Sequence, residues 1–110
     1  MPSHRTDQYA LADCTAHELV QLFRTGQASP LEAASAVFGR MDRVDGKLNA
    51  FCHMDPEGAA QAARASTQRW QQGAPLGPLD GVPVSLQDML LTRGLPTRCG
   101  SAAIARDHTW

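Results

Sequence analysis

Gly77-Pro78-Leu79-Asp80-Gly81-Val82-Pro83-Val84-Ser85-Leu86-Gln87-Asp88 is the stretch on which the fold turns. Its first five residues hold two glycines and a proline, so residues 74–81 read as a tight loop. Residues 82–86 are then a short apolar run, which suits a buried strand. Pro83 has no N–H to give to a ladder, so it places a bend or a sheet edge there. The run ends in Gln87-Asp88. In α/β folds the polar ends of strands are where active sites gather. A strand that merely enters a turn also ends in polar residues, so both readings stand at this point.

Upstream, three helix starts are written out. Thr15-Ala16-His17-Glu18 fits a capping box, and Leu19, Leu22 and Phe23 follow at helical spacing up to Gly26. Ser29-Pro30-Leu31-Glu32 joins an N-cap, a first-turn proline and a capping-box glutamate. Ala34, Val37, Phe38, Met41 and Val44 keep the period, and Asp45-Gly46 is the expected stop. These two helices read as an amphipathic hairpin. Residues 48–54 alternate as a second strand candidate, with Phe51 interrupting the polar face. Asp55-Pro56-Glu57 opens an Ala-rich third helix that closes at Gly73, with Arg64, Gln68, Arg69 and Gln71 toward its outside. Downstream, Gly94, Pro96 and Gly100 make residues 92–100 a second loop. The order helix, helix, strand, helix, strand predicts the opening of an α/β fold whose sheet is not finished within the chain.

Composition narrows the functional classes. The net charge of −1 gives no electrostatic footprint for nucleic acid or an anionic membrane. No apolar run approaches the roughly 18 residues of a membrane span. The N-terminus has no signal-like apolar segment, so residues 1–11 are expected to be a flexible or extended lead-in. Cys14, Cys52 and Cys99 are odd in number and far apart, which suits thiols in a reducing cytoplasm.

With these motifs in place, the sequence resembles the amidase signature family, the Ser-cisSer-Lys hydrolases that include bacterial amidases and the A subunit of the glutamyl-tRNA amidotransferase. The resemblance is carried by Leu79-Asp80-Gly81-Val82-Pro83-Val84, by Gly94-Leu95-Pro96-Thr97 and by Gly100-Ser101. It is also carried by the two helix starts at Thr15 and Ser29 and by Leu48-Asn49-Ala50-Phe51. It implies an α/β amidase fold, with residues 1–110 as an N-terminal fragment of a single domain. It also implies hydrolysis of a carboxamide C–N bond through an acyl-enzyme, with no cofactor and no metal.

Two departures qualify that implication. The family places its catalytic lysine two residues after Val84-Ser85, at position 87, and here the residue is Gln87. In the family that lysine, held neutral, draws a proton through a cis-configured serine from the nucleophilic serine. Gln has similar reach but no basic nitrogen. A general base is worth about 10²–10⁴-fold in rate, so Gln87 predicts severe impairment. Lys47, the only lysine, precedes a different predicted strand. In addition, no Gly-Gly-Ser-Ser-Gly-Gly-like stretch occurs in the 110 residues, so neither relay serine is expected here. A small-molecule amide is expected as substrate only if further sequence completes the site. The alternative function is a non-catalytic module that self-associates or pairs with a separately made C-terminal half.

Other candidates carry less. Gly100-Ser101-Ala102 lacks the Gly-x-Ser-x-Gly elbow and reads as a loop. Cys52 and His53, adjacent on a strand, would point to opposite faces. Cys14 and His17 have helical ligand spacing but no second pair. Ser85 is expected to pack near the site without a relay partner. Asp88 is expected to bond backbone N–H groups.

Overall fold

The computed structural model describes residues 11–104. Three helices form in the expected places: α1, Ala16–Thr25; α2, Pro30–Leu48; and α3, Pro56–Gln71. Each starts as its sequence dictates. Thr15 and Glu18 close a complete capping box, as do Ser29 and Glu32. Asp55 caps α3 by accepting the Gly58 N–H at 3.0 Å. The first N–H groups of a helix lack internal partners. In α2 the set is fully accounted for. Pro30 has none, Glu32 gives its N–H to Ser29 Oγ, and Leu31 gives its own to Thr67 Oγ1 of α3 at 3.2 Å.

α1 ends at Gly26 as expected, and α3 ends at Gln71, where Gly73 and Ala74 return N–H bonds to Trp70 and Arg69. α2 does not stop at Asp45-Gly46. It runs on to Leu48 and ends on Asn49, at φ 50. Asparagine tolerates that left-handed conformation better than most residues. Asp45 explains the extension. Its carbonyl accepts the Asn49 N–H, and its carboxylate accepts the N–H groups of Ala50 and Phe51.

The expected strands at 48–54 and 82–86 do not form among the described residues. Leu48 belongs to α2, and the Asp45 carboxylate takes two donors that a ladder would have used. Residues 82–86 adopt neither helix nor turn, and no neighbouring strand is present among the described residues to pair with them. A strand exists only through its ladder, so the sequence pattern alone cannot make one.

The core gathers side chains of α1 and α2, with Trp70 of α3 laid against them. Leu11, Leu19, Phe23, Ala28, Ala33 and Ala36 are buried, with Trp70 and Val82 packed against them. Phe23 and Trp70 meet with ring centroids 6.1 Å apart, tilted by 52°. A fully buried Leu or Phe contributes about 1.5–3 kcal/mol, so these few large side chains carry most of the packing energy. Of the expected lead-in, Leu11 is buried in this core, and residues 1–10 lie outside the described residues. The predicted α1–α2 hairpin is not the main contact. α2 packs chiefly on α3, and Ala34 of α2 and Ala63 of α3 are both buried. Small residues allow that close approach.

Candidate functional site

The stretch 77–88 divides into two parts with opposite surroundings. The first is a latch. Leu79 and Gly77 accept the N–H groups of Val82 and Asp80, which folds 77–82 into consecutive turns. These turns push the Asp80 side chain against α3, where it is only 5% exposed. Its Oδ1 accepts Ser66 Oγ at 2.8 Å and Arg69 Nη2 at 2.6 Å. Its Oδ2 accepts Arg69 Nε at 2.7 Å and the Leu76 N–H at 2.9 Å. The indole N–H of Trp70 donates to the Asp80 carbonyl at 2.9 Å. The fork of Arg69 thus meets the carboxylate with two bonds, the strong geometry for this pair. That guanidinium, with the other donors, holds the Asp80 carboxyl well below the usual carboxylate range.

Gly81 completes the latch. It has φ +90, and a Cβ there would lie 2.6 Å from both Pro30 Cγ and Ser66 Oγ. Only glycine lets the chain pass between the start of α2 and the middle of α3. Sequence reasoning missed the partners of this motif and set Arg69 on the outer face of α3. A signal was present, because Ser66, Arg69 and Trp70 stand at i, i+3 and i+4 on one helix face.

The second part is bare. Beyond Val82 the segment lines a groove of about 660 Å³ between itself, α2 and α3. Val37, Met41 and Phe51 give the groove an apolar floor, and Ser85, Gln87 and Asp88 stand on its wall. The apolar side chains here are largely uncovered: Val84 is 80% exposed, Leu86 53% and Leu91 67%. Gln87 is exposed, and its Nε2 donates weakly to Met89 Sδ at 3.7 Å.

Asp88 binds backbone, as its reading from sequence required, but across to the second loop. Oδ1 accepts the Arg98 N–H at 2.9 Å and Oδ2 the Gly100 N–H at 3.0 Å. Its carbonyl accepts the Cys99 N–H at 2.9 Å. The N–H groups of Arg98 and Gly100 hold this carboxyl below its ordinary range, with smaller help from the Cys52 thiol and the Arg98 guanidinium. Thr97, buried in the same loop, donates to the Leu90 carbonyl at 3.0 Å.

The weaker candidates fall out as follows. Gly100-Ser101 lies in a turn, with Ser101 Oγ accepting the Ala103 N–H. Cys52 and His53 are not on a strand, and both border the groove. Cys14 is half-buried, and burial raises its thiol pKa, while His17 is exposed on α1. Among the described residues, no three His, Cys, Asp or Glu side chains are placed to hold a metal ion. No helix among them is long and apolar enough to cross a membrane.

Comparison with known proteins gives this geometry a setting. The sequence model of the family described as amidase matches residues 32–108. The chain belongs to the amidase family. Both the latch and the Gln87-Asp88 corner lie inside that match. Curated relatives include the A subunit of glutamyl-tRNA(Gln) amidotransferase from Salinispora arenicola, 45% identical over 86% of this amidase-family chain and 19% of the relative. Its counterpart from Myxococcus xanthus is 45% identical over 83% of the chain and 19% of the relative. That from Desulforudis audaxviator is 37% identical over 91% and 20%. The chain therefore spans about a fifth of the length of these relatives. No solved structure matches it.

Proposed function

We propose that these residues are the N-terminal portion of an α/β amidase-type hydrolase that cleaves a carboxamide C–N bond through an acyl-enzyme. The observation that carries this is the largely apolar segment 82–86, irregular and unpaired among the described residues, which leads to Gln87 on the lining of a groove. In this reading the segment becomes a sheet strand when further sequence supplies its neighbours. Position 87 is then where the family's catalytic lysine stands, and the serines of the relay come from that further sequence. Gln87 can donate and accept hydrogen bonds there but cannot take up the proton of a nucleophilic serine. No metal or organic cofactor enters the proposal. The substrate would be a small carboxamide bound where the groove meets the added part.

The test joins the chain to the downstream region of the A subunit of a related amidotransferase. It compares Gln87 with Gln87→Lys in amide hydrolysis. The expected result is hydrolysis with Q87K and a loss of about 10²-fold or more with Gln87. Equal rates would show that position 87 carries no base in this chain.

The lost base favours a second reading, in which the chain is a non-catalytic partner of a separately made C-terminal half or of a second copy. Sedimentation velocity with and without that half separates the two. A complex that forms yet stays inactive with Q87K supports the second reading, and a chain that never associates excludes it.

A further inference from the structure

Gln87 sits at the end of an irregular segment with no ladder among the described residues to hold it, and its own side chain makes only the long contact to Met89. What fixes that end is the neighbouring residue. Asp88 spends both carboxylate oxygens and its carbonyl on three consecutive N–H groups, those of Arg98, Cys99 and Gly100. Cys99 and Gly100 are successive left-handed residues, at φ 52 and 68. Successive backbone N–H groups in a turn can converge on one side as a concavity suited to an anion. Here the anion is Asp88 itself.

The clamp also reaches the rest of the groove. The Arg98 guanidinium donates to the Cys52 carbonyl at 3.3 Å. Gln87 accepts the Leu90 N–H at 3.0 Å through its carbonyl, and Leu90 in turn accepts Thr97. A side chain at 87 therefore borders the groove in a direction set by a backbone held by the Leu90 N–H on one side and by Asp88 and its loop on the other.

We propose that Asp88 is a positioning residue for position 87, holding the strand end against the 98–100 turn so that the side chain at 87 is aimed along the groove wall. The role rests on reading position 87 as the base position of an amidase-type site. The clamp itself is tested without any hydrolysis, so the two can fail separately.

The experiment uses the full chain labelled with ¹⁵N, compared with Asp88→Asn and Asp88→Ala. Asn keeps one acceptor oxygen and Ala keeps none, so the effects should be graded. Amide exchange at Arg98 and Gly100 should quicken by about tenfold in D88A, as expected for losing a charge-assisted bond, and by less in D88N. The heteronuclear NOE of the Gln87 side-chain carboxamide should fall in the same order, with the amides of α1, α2 and α3 unchanged. Unchanged exchange at Arg98 and Gly100 would overturn the clamp. Faster exchange there with an unchanged Gln87 NOE would overturn the positioning role. Loss of signal dispersion across all three helices would also overturn it, because Asp88 would then serve the whole fold and not position 87.

Discussion

Asp80 and Asp88 lie in one short stretch, and both carry lowered pKa values, yet they belong to different parts of the fold. Asp80 is satisfied by side chains of α3, beneath a core that is already closed. Asp88 is satisfied by the backbone of one loop, and Val84, Leu86, Met89, Leu90 and Leu91 around it are uncovered. The first carboxylate reports a finished join. The second organises a corner whose apolar neighbours are exposed. A motif that reads as one unit in the sequence thus works as an anchor at one end and a presented edge at the other.

The sharpest way to break the comparison is to cut the anchor. Asp80→Ala strands Arg69 and leaves Ser66 and the Leu76 N–H without their acceptor. Removing one partner of a buried pair costs about 3–5 kcal/mol, and the partial exposure of Arg69 lowers the expectation to about 2–3 kcal/mol. Urea unfolding followed by circular dichroism measures it. Gly81→Ala should cost about 2 kcal/mol, from the positive φ and the clash with Pro30 and Ser66. The same assay reads it, and Gly77→Ala, where nothing lies within 4 Å, is the control.

The anchor also sets a pH response. The native pKa of Asp80 lies below its ordinary value of 3.8. Its contribution to stability is therefore fully present above that value and is lost as pH falls below it toward the native pKa. The acid limb of the stability curve should be shallower in Asp80→Asn than in the parent. Trp70→Phe removes the indole bond to the Asp80 carbonyl and part of the ring packed on the core, and should cost at least about 1 kcal/mol. At the small end, Val84→Thr should change stability by less than about 0.5 kcal/mol, since the side chain is largely exposed. If Val84→Thr costs as much as Trp70→Phe, the edge is not bare.

The helices were legible because their signals are local. Thr15, Ser29 and Asp55 each bond an N–H three residues on, so a short window contains the whole interaction. The end of α2 was misread because Gly46 looked like a stop, while the groups that decide the end are Asp45 and Asn49. The strands were not recoverable, since alternation of side chains says nothing about whether a neighbour is there to pair. The latch partners were missed for a related reason. The ion pair of Arg69 with Asp80 spans a helix end and a loop, and neither residue announces it alone. Position 87 was read from resemblance, and the structure adds the groove beside it and the Asp88 clamp behind it.

The central proposal is that residues 76–82 are a closed anchor and that residues 84–87 pair into a sheet when further sequence is joined to them. Residue-resolved hydrogen exchange measures this directly, on the chain alone and on the chain joined to the downstream region of the A subunit of a related amidotransferase. The account predicts protection of the Leu76 and Val82 amides in both samples. It predicts fast exchange at residues 84–87 in the chain alone and slow exchange there in the joined protein. Exchange at 84–87 that is equally fast in both samples would contradict it, as would protection already present in the chain alone.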